Sequence, residues 1–249
     1  MKKDDIAIIG MGCSKFGERW DCGLSDLIIE AAYEAYEDAK IGPEQIEVAY
    51  FGNGFDHSVG ATALADTLKL EGIPVVRNEN YCTSGHIALI DAIQAVASGR
   101  YKVAMAVGAE KLKDTGYPGL GAGRGTSPVL EARRTAPGSF SMIAARYFHE
   151  YGLSYEEGKR VIGKIAVKNH KNGLLAPKAH FHKLITLEDV VDAPIIAKPL
   201  GLYDCCGNSD GAACAIVTSA DAAKTFRDDP IYVKGYGVAI DAILPMYRR

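Results

Sequence analysis

Pro74-Val75-Val76-Arg77-Asn78-Glu79-Asn80-Tyr81-Cys82-Thr83-Ser84-Gly85-His86 runs on through Ile87–Ser98 to Val103–Val107, and its reading decides the fold. Pro74 to Asn78 is a short strand. From Thr83 to Ser98 almost every position is apolar, including Ile87, Ala88, Leu89, Ile90, Ala92, Ile93, Ala95, Val96 and Ala97. A helix apolar nearly all round is expected to lie buried between layers. Val103 to Val107 is a strand again. Strand, helix and strand in succession are the repeating unit of α/β folds. Cys82 stands where the first strand meets the helix. Unpaired N–H groups at a helix start stabilise an anion there, which favours the thiolate that a nucleophile requires. Gly85 permits close approach of a backbone or a substrate. A cysteine is more often a small core residue. The junction weighs against that, and both readings stand at this point.

The same alternation extends outward. Asp5 to Met11 is an Ile-rich strand. Leu24, Leu27, Ile28, Ala31, Ala32, Ala35 and Ala39 share one face of a surface helix that Gly42-Pro43 closes. Val48 to Phe51 is a strand and Ala61 to Leu70 a helix. The pattern predicts a layered α/β fold on a mainly parallel sheet. After Glu110 the alternation stops. Lys111 to Gly138 is a long irregular excursion, of the kind that usually carries function. Helical patterns follow at Phe140–Tyr151 and Tyr155–Asn172, then a loop-like stretch from Ala176 to Pro199. Ala212–Thr218 reads as a strand, Ala220–Phe226 as a helix and Ile231–Tyr236 as a last strand.

Bulk properties exclude several classes. The chain has 249 residues, 48% hydrophobic and 24% charged, enough for an ordinary globular core. A formal net charge of −3 gives no field for nucleic acid or an anionic membrane. No apolar run reaches the roughly 18 residues of a membrane span. Asp4 and Asp5 interrupt the Lys2-Lys3 start, so the N-terminus reads as a first strand and not a signal peptide. The six cysteines are then expected as free thiols of a cytoplasmic protein.

Other motifs carry less. Gly10-Met11-Gly12-Cys13-Ser14-Lys15 has Lys15 where a dinucleotide fingerprint requires its third glycine, so a structural turn is expected. Gly119 to Gly125 reads as a mobile loop that admits a ligand. Cys205-Cys206 with Cys214 does not match zinc-ligand spacing, and no metal is expected. His149 reads as a packing histidine and His86 as a core hydrogen-bonding one. Asp204 to Gly211 is turn-rich: either a tight packed turn, or backbone brought close to a substrate at Gly207 and Gly211.

Four segments resemble the thiolase superfamily, in its sterol-carrier-protein-type and bacterial and archaeal branches. Ile6 to Gly17 looks like the family's first strand and turn. Asn80-Tyr81-Cys82-Thr83-Ser84-Gly85 looks like its nucleophile motif. Val103 to Glu110 looks like the strand that follows the nucleophile helix. Leu202 to Ala213 looks like the signature closing the N-terminal half. They occur in family order across nearly the whole chain.

The resemblance implies the layered thiolase fold and an acyl-CoA C-acyltransferase with Cys82 as acyl carrier. Coenzyme A would be a substrate, with no covalently bound cofactor. Residues 1–110 would be the first part of the N-terminal half and 111–200 an inserted loop domain covering acyl-CoA. Residues 201–228 would end that half, and 229–249 would begin a C-terminal half that is largely absent. Met142 matches a family position beside the acyl group. Cys206-Gly207 stands where many thiolases use Ser-Gly near the thioester. Family members are longer, and their activating histidine, oxyanion-holding histidine turn and second cysteine lie beyond this point. The expectation is therefore a fragment, or a homo- or hetero-oligomer in which a second polypeptide supplies the missing half. A small accessory protein with a zinc ribbon and an oligonucleotide-binding-like fold is a further expected partner. The rival readings are a retro-aldol lyase on the same fold, against which Cys82 argues, and a non-catalytic acyl-CoA-binding subunit.

Overall fold

A computed structural model describes residues 5–55, 60–116, 121–122 and 134–240. The chain divides after Gly116 and again before Ser209 into two compact units. The first contains β1 (Ile6–Cys13), α1 (Leu24–Ala39), β2 (Val48–Gly52), α2 (Ala61–Leu68), β3 (Val75–Asn78), α3 (Ser84–Ala97) and β4 (Val103–Glu110). The second contains β5 (Gly121–Ala122), β6 (Arg134–Thr135), α4 (Ala136–Glu150), α5 (Tyr155–Gly173), α6 (Leu187–Val191), β7 (Ile195–Ala197) and β8 (Leu200–Gly201). The chain then returns to the first unit as β9 (Gly211–Ser219), α7 (Ala220–Ala223) and β10 (Ile231–Tyr232).

The first unit is built on a six-stranded sheet in the order β10-β1-β9-β4-β2-β3. β2 runs parallel to β3 and β4, but β9 is antiparallel to both β1 and β4, and β10 is antiparallel to β1. The sheet is mixed, which corrects the expectation of a mainly parallel one. The parallel strands are joined by short helical crossovers, whereas β9 re-enters after the whole second unit and is free to run the other way.

Period-two alternation sorts the strands between two cores. Ala7, Ile9, Ala49, Phe51, Val103, Met105, Val107, Cys214 and Ile216 pack beneath α1 and α2. Ile6, Val48, Ala104, Ala106 and Val217 face the other way, against Ala88, Ala92, Ile93 and Val96 of α3. The unit is thus a helix–sheet–helix sandwich. α1 buries Leu27, Ile28, Ala31, Ala32, Ala35, Tyr36 and Ala39 on one face, as its periodicity predicts. Full burial of Leu27 and Ile28 contributes roughly 1.5–3 kcal/mol each. α3 differs from expectation. Its sheet-facing side is buried, but Leu89 and Ile90 are half-buried and His86 and Gln94 are exposed. The described residues supply only one layer against it.

Gly10 and Gly12 lie inside β1 and not in a turn, since the strand continues to Cys13. A Cβ on either would strike a backbone carbonyl of α1, at Ala35 and Ala31 respectively. That contact lets Asp38, Glu34 and Glu30 accept the N–H groups of Met11 (3.0 Å), Cys13 (2.6 Å) and Lys15 (2.8 Å). Those backbone donors would otherwise be open to another strand.

In the second unit the stretch expected to be loop-like contains α6 and β7. Thr186 caps α6 by accepting the Asp189 N–H, and Asp189 accepts the Thr186 N–H in return. Thr-x-x-Asp is a capping-box pattern, so this helix had a sequence signal. Ala166, Ile185 and Val190 form the small core, with Val167 and Tyr203 against it. Lys159, on α5, is 1% exposed and forms an ion pair with Asp204. Asp204 also accepts the Gly201 N–H at 2.7 Å. β10 and α7 are shorter than expected, ending at Tyr232 and Ala223. The Gly119–Gly125 loop falls largely outside the described residues.

Candidate active site

β3 ends at Asn78, and a single 3-10 turn, Tyr81–Thr83, leads into α3 at Ser84. Cys82 lies in that turn and is exposed. It therefore stands just before the helix, at its positive end, and not within the buried layer. Tyr81 has φ 48°. The left-handed region costs a bulky residue about 1–2 kcal/mol, so surrounding contacts must hold the turn. The Ser84 hydroxyl is one of them. It accepts the Asn80 N–H at 2.8 Å and donates to the Tyr81 carbonyl at 2.7 Å. Tyr81 N–H donates to Glu79 and Thr83 N–H to the Asn80 carbonyl.

The floor beneath the turn is glycine. A Cβ on Gly52 would lie 2.5 Å from the Ser84 carbonyl, and one on Gly54 2.5 Å from the Tyr81 oxygen. Across the sheet, a Cβ on Gly108 would lie 3.1 Å from the Gly85 Cα. The nucleophile turn thus rests directly on the ends of β2 and β4, with no side chain between. This is a reason, apart from substrate access, for glycine at these positions.

The loop after β2 is itself pinned. Asn53, 1% exposed, donates through Nδ2 to the Ala109 carbonyl (3.0 Å) and Glu110 Oε2 (3.2 Å). Glu110 Oε1 accepts the N–H groups of Gly54 and, at 3.1 Å, Phe55. Arg77 of β3 donates to the Asn53 carbonyl and Oδ1. The Phe55 ring meets Tyr81 edge-on at 6.5 Å. Sequence reasoning missed Glu110, Asn53 and Arg77. Glu110 read only as the end of a strand, though Gly52-Asn53-Gly54 after a strand is a signal of close backbone packing.

At the other end of the sheet's long connection, Asp210 is fully buried. It accepts from Lys111 Nζ (2.9 Å) and from the N–H groups of Lys113 (2.9 Å) and Arg19 (3.1 Å). Burial alone would push its carboxyl up, but these donors outweigh burial and hold it below the usual carboxylate range.

The remaining candidates lie in the second unit. Met142 is on α4, with an exposed side chain. Cys206 is exposed, and Cys205 beside it has a thiol pushed up by burial and then by Asp204. A Cβ on Gly207 would collide with the Phe181 ring at 2.7 Å, so this glycine has a packing reason of its own. His180 stacks on the same Phe181 ring at 4.0 Å. His149 and His86 are exposed, which corrects their reading as packing and core histidines. Cys214 lies in the core of the first unit, where burial pushes its thiol far up. Among the described residues no group of three His, Cys, Asp or Glu side chains could hold a metal ion. Nor, among them, is any helix long and apolar enough to cross a membrane.

A mixed α/β sandwich with an exposed cysteine turn seated on the ends of β2 and β4 defines a class, and comparison with known proteins names it. The chain belongs to the thiolase family: the family model "Thiolase, N-terminal domain" matches residues 6–221. It is 36% identical over 255 residues to the acetyl-CoA acetyltransferase of Methanothermobacter thermautotrophicus, covering 98% of this chain and 65% of that protein. It is 38% identical over 250 residues to the acetyl-CoA acetyltransferase of Methanocaldococcus jannaschii, covering 96% and 62%. The chain thus spans less than two thirds of the length of these relatives. Among solved structures, the Ltp2-ChsH2(DUF35) aldolase shares the fold with a TM-score of 0.81 at 24% identity, over 100% of this chain and 65% of that one.

Proposed function

We propose that this chain is the nucleophile-bearing part of a thiolase-type acyl-CoA C-acyltransferase, with Cys82 as acyl carrier. The observation that carries the reading is the exposed Cys82 in a glycine-seated turn before α3, within the family's nucleophile motif. In thiolysis the Cys82 thiolate attacks the 3-keto carbonyl of a 3-oxoacyl-CoA. The C2–C3 bond breaks, its electron pair leaves as the enolate of acetyl-CoA or another acyl-CoA, and that enolate takes a proton. The thiol of free coenzyme A then attacks the thioester and releases Cys82. Run backwards, the sequence is a Claisen condensation.

Deprotonating Cys82 and holding the oxyanion both need groups beyond the turn. We assign these to polypeptide outside the 249 residues, in the same or a second chain. Such a complement is expected to bind tightly and restore thiolysis, and mixing the two without thiolysis would count against this assignment. Coenzyme A and its acyl esters are the proposed ligands. Met142, Cys206 and Gly207 are the proposed substrate contacts. A zinc-ribbon accessory protein is a proposed partner on the strength of the resemblance.

The reading is tested by peptide mass spectrometry after the chain, with the complementary polypeptide present, is incubated with acetyl-CoA or a 3-oxoacyl-CoA. The expected result is an acyl thioester on the Cys82 peptide that Cys82→Ser abolishes. A retro-aldol lyase would instead keep its carbon–carbon cleavage in Cys82→Ser. A binding subunit would take up acyl-CoA without forming any adduct.

A further inference from the structure

We propose that Glu110 is a positioning residue for Cys82, acting through the Asn53–Phe55 loop. The inference rests on Cys82 being the reactive thiol, and its test separates the two claims.

A carboxylate at the end of a strand is ordinarily a solvated group. This one is turned onto three N–H donors of a single short loop: Asn53 Nδ2, the Gly54 N–H and the Phe55 N–H. A bidentate carboxylate collecting three donors fixes a loop more firmly than neutral acceptors do. On the β4 side the Ala109 carbonyl also accepts from Asn53 Nδ2, at 3.0 Å. On the β3 side, Arg77 and the Asn78 carbonyl complete its fixation.

What the loop touches gives the carboxylate its consequence. Gly54 abuts the Tyr81 carbonyl and the Ser84 hydroxyl, with 2.5 and 2.9 Å left for a Cβ. Those are the two atoms whose mutual hydrogen bond closes the turn around Cys82. Phe55 meets the Tyr81 ring edge-on at 6.5 Å. Together with Ser84 and Glu79, this loop holds Tyr81 at its left-handed φ of 48°. The path is short and continuous: Glu110 carboxylate, Gly54–Phe55 backbone, Tyr81–Ser84 turn, Cys82 thiol. Glu110 does not contact the thiol's reaction partner in this scheme. It decides where the thiol stands.

The test compares wild type with Glu110→Gln and Glu110→Ala, using Glu188→Gln, at an exposed pair with Arg160, as a control. Two probes report on Cys82, each read by peptide mass spectrometry. One is acetylation by acetyl-CoA. The other is alkylation by iodoacetamide across a pH series, which needs no thiolase activity. Hydrogen exchange at Gly54–Phe55 and Tyr81–Ser84 is the third readout. Misplacing a reactive group by about 1 Å costs on the order of a hundredfold in rate. Glu110→Ala is therefore expected to slow acetylation about a hundredfold at saturating acetyl-CoA, with KM unchanged, and to shift the alkylation pH profile. Glu110→Gln keeps the shape and some acceptors, and is expected to fall between.

Both exchange segments are expected to loosen together. The proposal is overturned if Glu110→Ala, or Glu110→Gln where the alanine variant does not fold, leaves the Cys82 alkylation profile unchanged. It is equally overturned if the 54–55 segment loosens while 81–84 does not. If wild type takes no acetyl group even with the complementary polypeptide present, the nucleophile reading fails, while the alkylation and exchange comparisons still decide the role of Glu110.

Discussion

Replacing Gly52 by alanine is the sharpest test of the glycine floor. A Cβ there would stand 2.5 Å from the carbonyl carbon and oxygen of Ser84 and 2.6 Å from the Gly85 nitrogen. Carbon contacts are comfortable at about 3.5–4.0 Å. The start of α3 would have to retreat from β2 by roughly 1 Å. All three atoms are backbone, so no rotamer change relieves the clash. Overpacking of this kind costs about 1–3 kcal/mol. Because the turn moves with the helix start, acylation of Cys82 by acetyl-CoA should slow by about a hundredfold, and its alkylation rate should differ from wild type. Gly85→Ala is the matched control. Its Cβ would lie 3.6 Å from the Gly108 Cα, an ordinary contact. Alanine inside a helix is favoured over glycine by about 0.5–1 kcal/mol, so this variant should be as stable as wild type or slightly more so. Thermal melting and iodoacetamide labelling of purified variants measure both. A Gly52→Ala protein that melts with wild type and labels Cys82 at the wild-type rate would refute the reasoning.

Other outcomes follow from the buried charges and thiols. Lys159→Met leaves Asp204 buried without its cation and should destabilise by about 3–5 kcal/mol, whereas Lys159→Met with Asp204→Leu should recover most of that loss; urea titrations of the double-mutant cycle measure it. Asp210 has a carboxyl held low in the folded state, so its contribution is complete above the unfolded value near 3.9 and lost as pH falls through the native value. Asp210→Asn should therefore be less stable than wild type at pH 7, with the gap closing below about pH 4 in denaturation curves. Lys111 is held high by Asp114 and Asp210 against the lowering effect of burial, so its contribution persists below about pH 10.4 and is lost only above it. Thiol labelling of the native chain should modify exposed Cys82 and Cys206 and spare buried Cys214, which reacts only after unfolding.

Much of the first unit was legible because its signals are local. Helical spacing located α1, Gly42-Pro43 marked its end, and the apolar run after Cys82 located α3. The nucleophile turn could be read from a cysteine between a strand and a helix. Strand pairing is not local, so the antiparallel insertion of β9 between β1 and β4 had no signature in either strand. Gly10 and Gly12 looked like a turn because a glycine beneath a helix and a glycine in a bend are the same letters. Lys159 sat in a helix full of charged residues, and nothing in its neighbours marked it as the buried one. Glu110 was hidden for a similar reason: its partners are 55–57 residues away, on a loop with no distinctive side chain but Asn53.

Acyl transfer to Cys82 is the central step of the proposed reaction. Incubation with acetyl-CoA in the presence of the complementary polypeptide, proteolysis and mass spectrometry of the Cys82 peptide test that directly. The expected result is an acetyl thioester on Cys82, discharged by added coenzyme A and absent from Cys82→Ser. An acetyl group on another cysteine, or carbon–carbon cleavage that survives in Cys82→Ser, would contradict it.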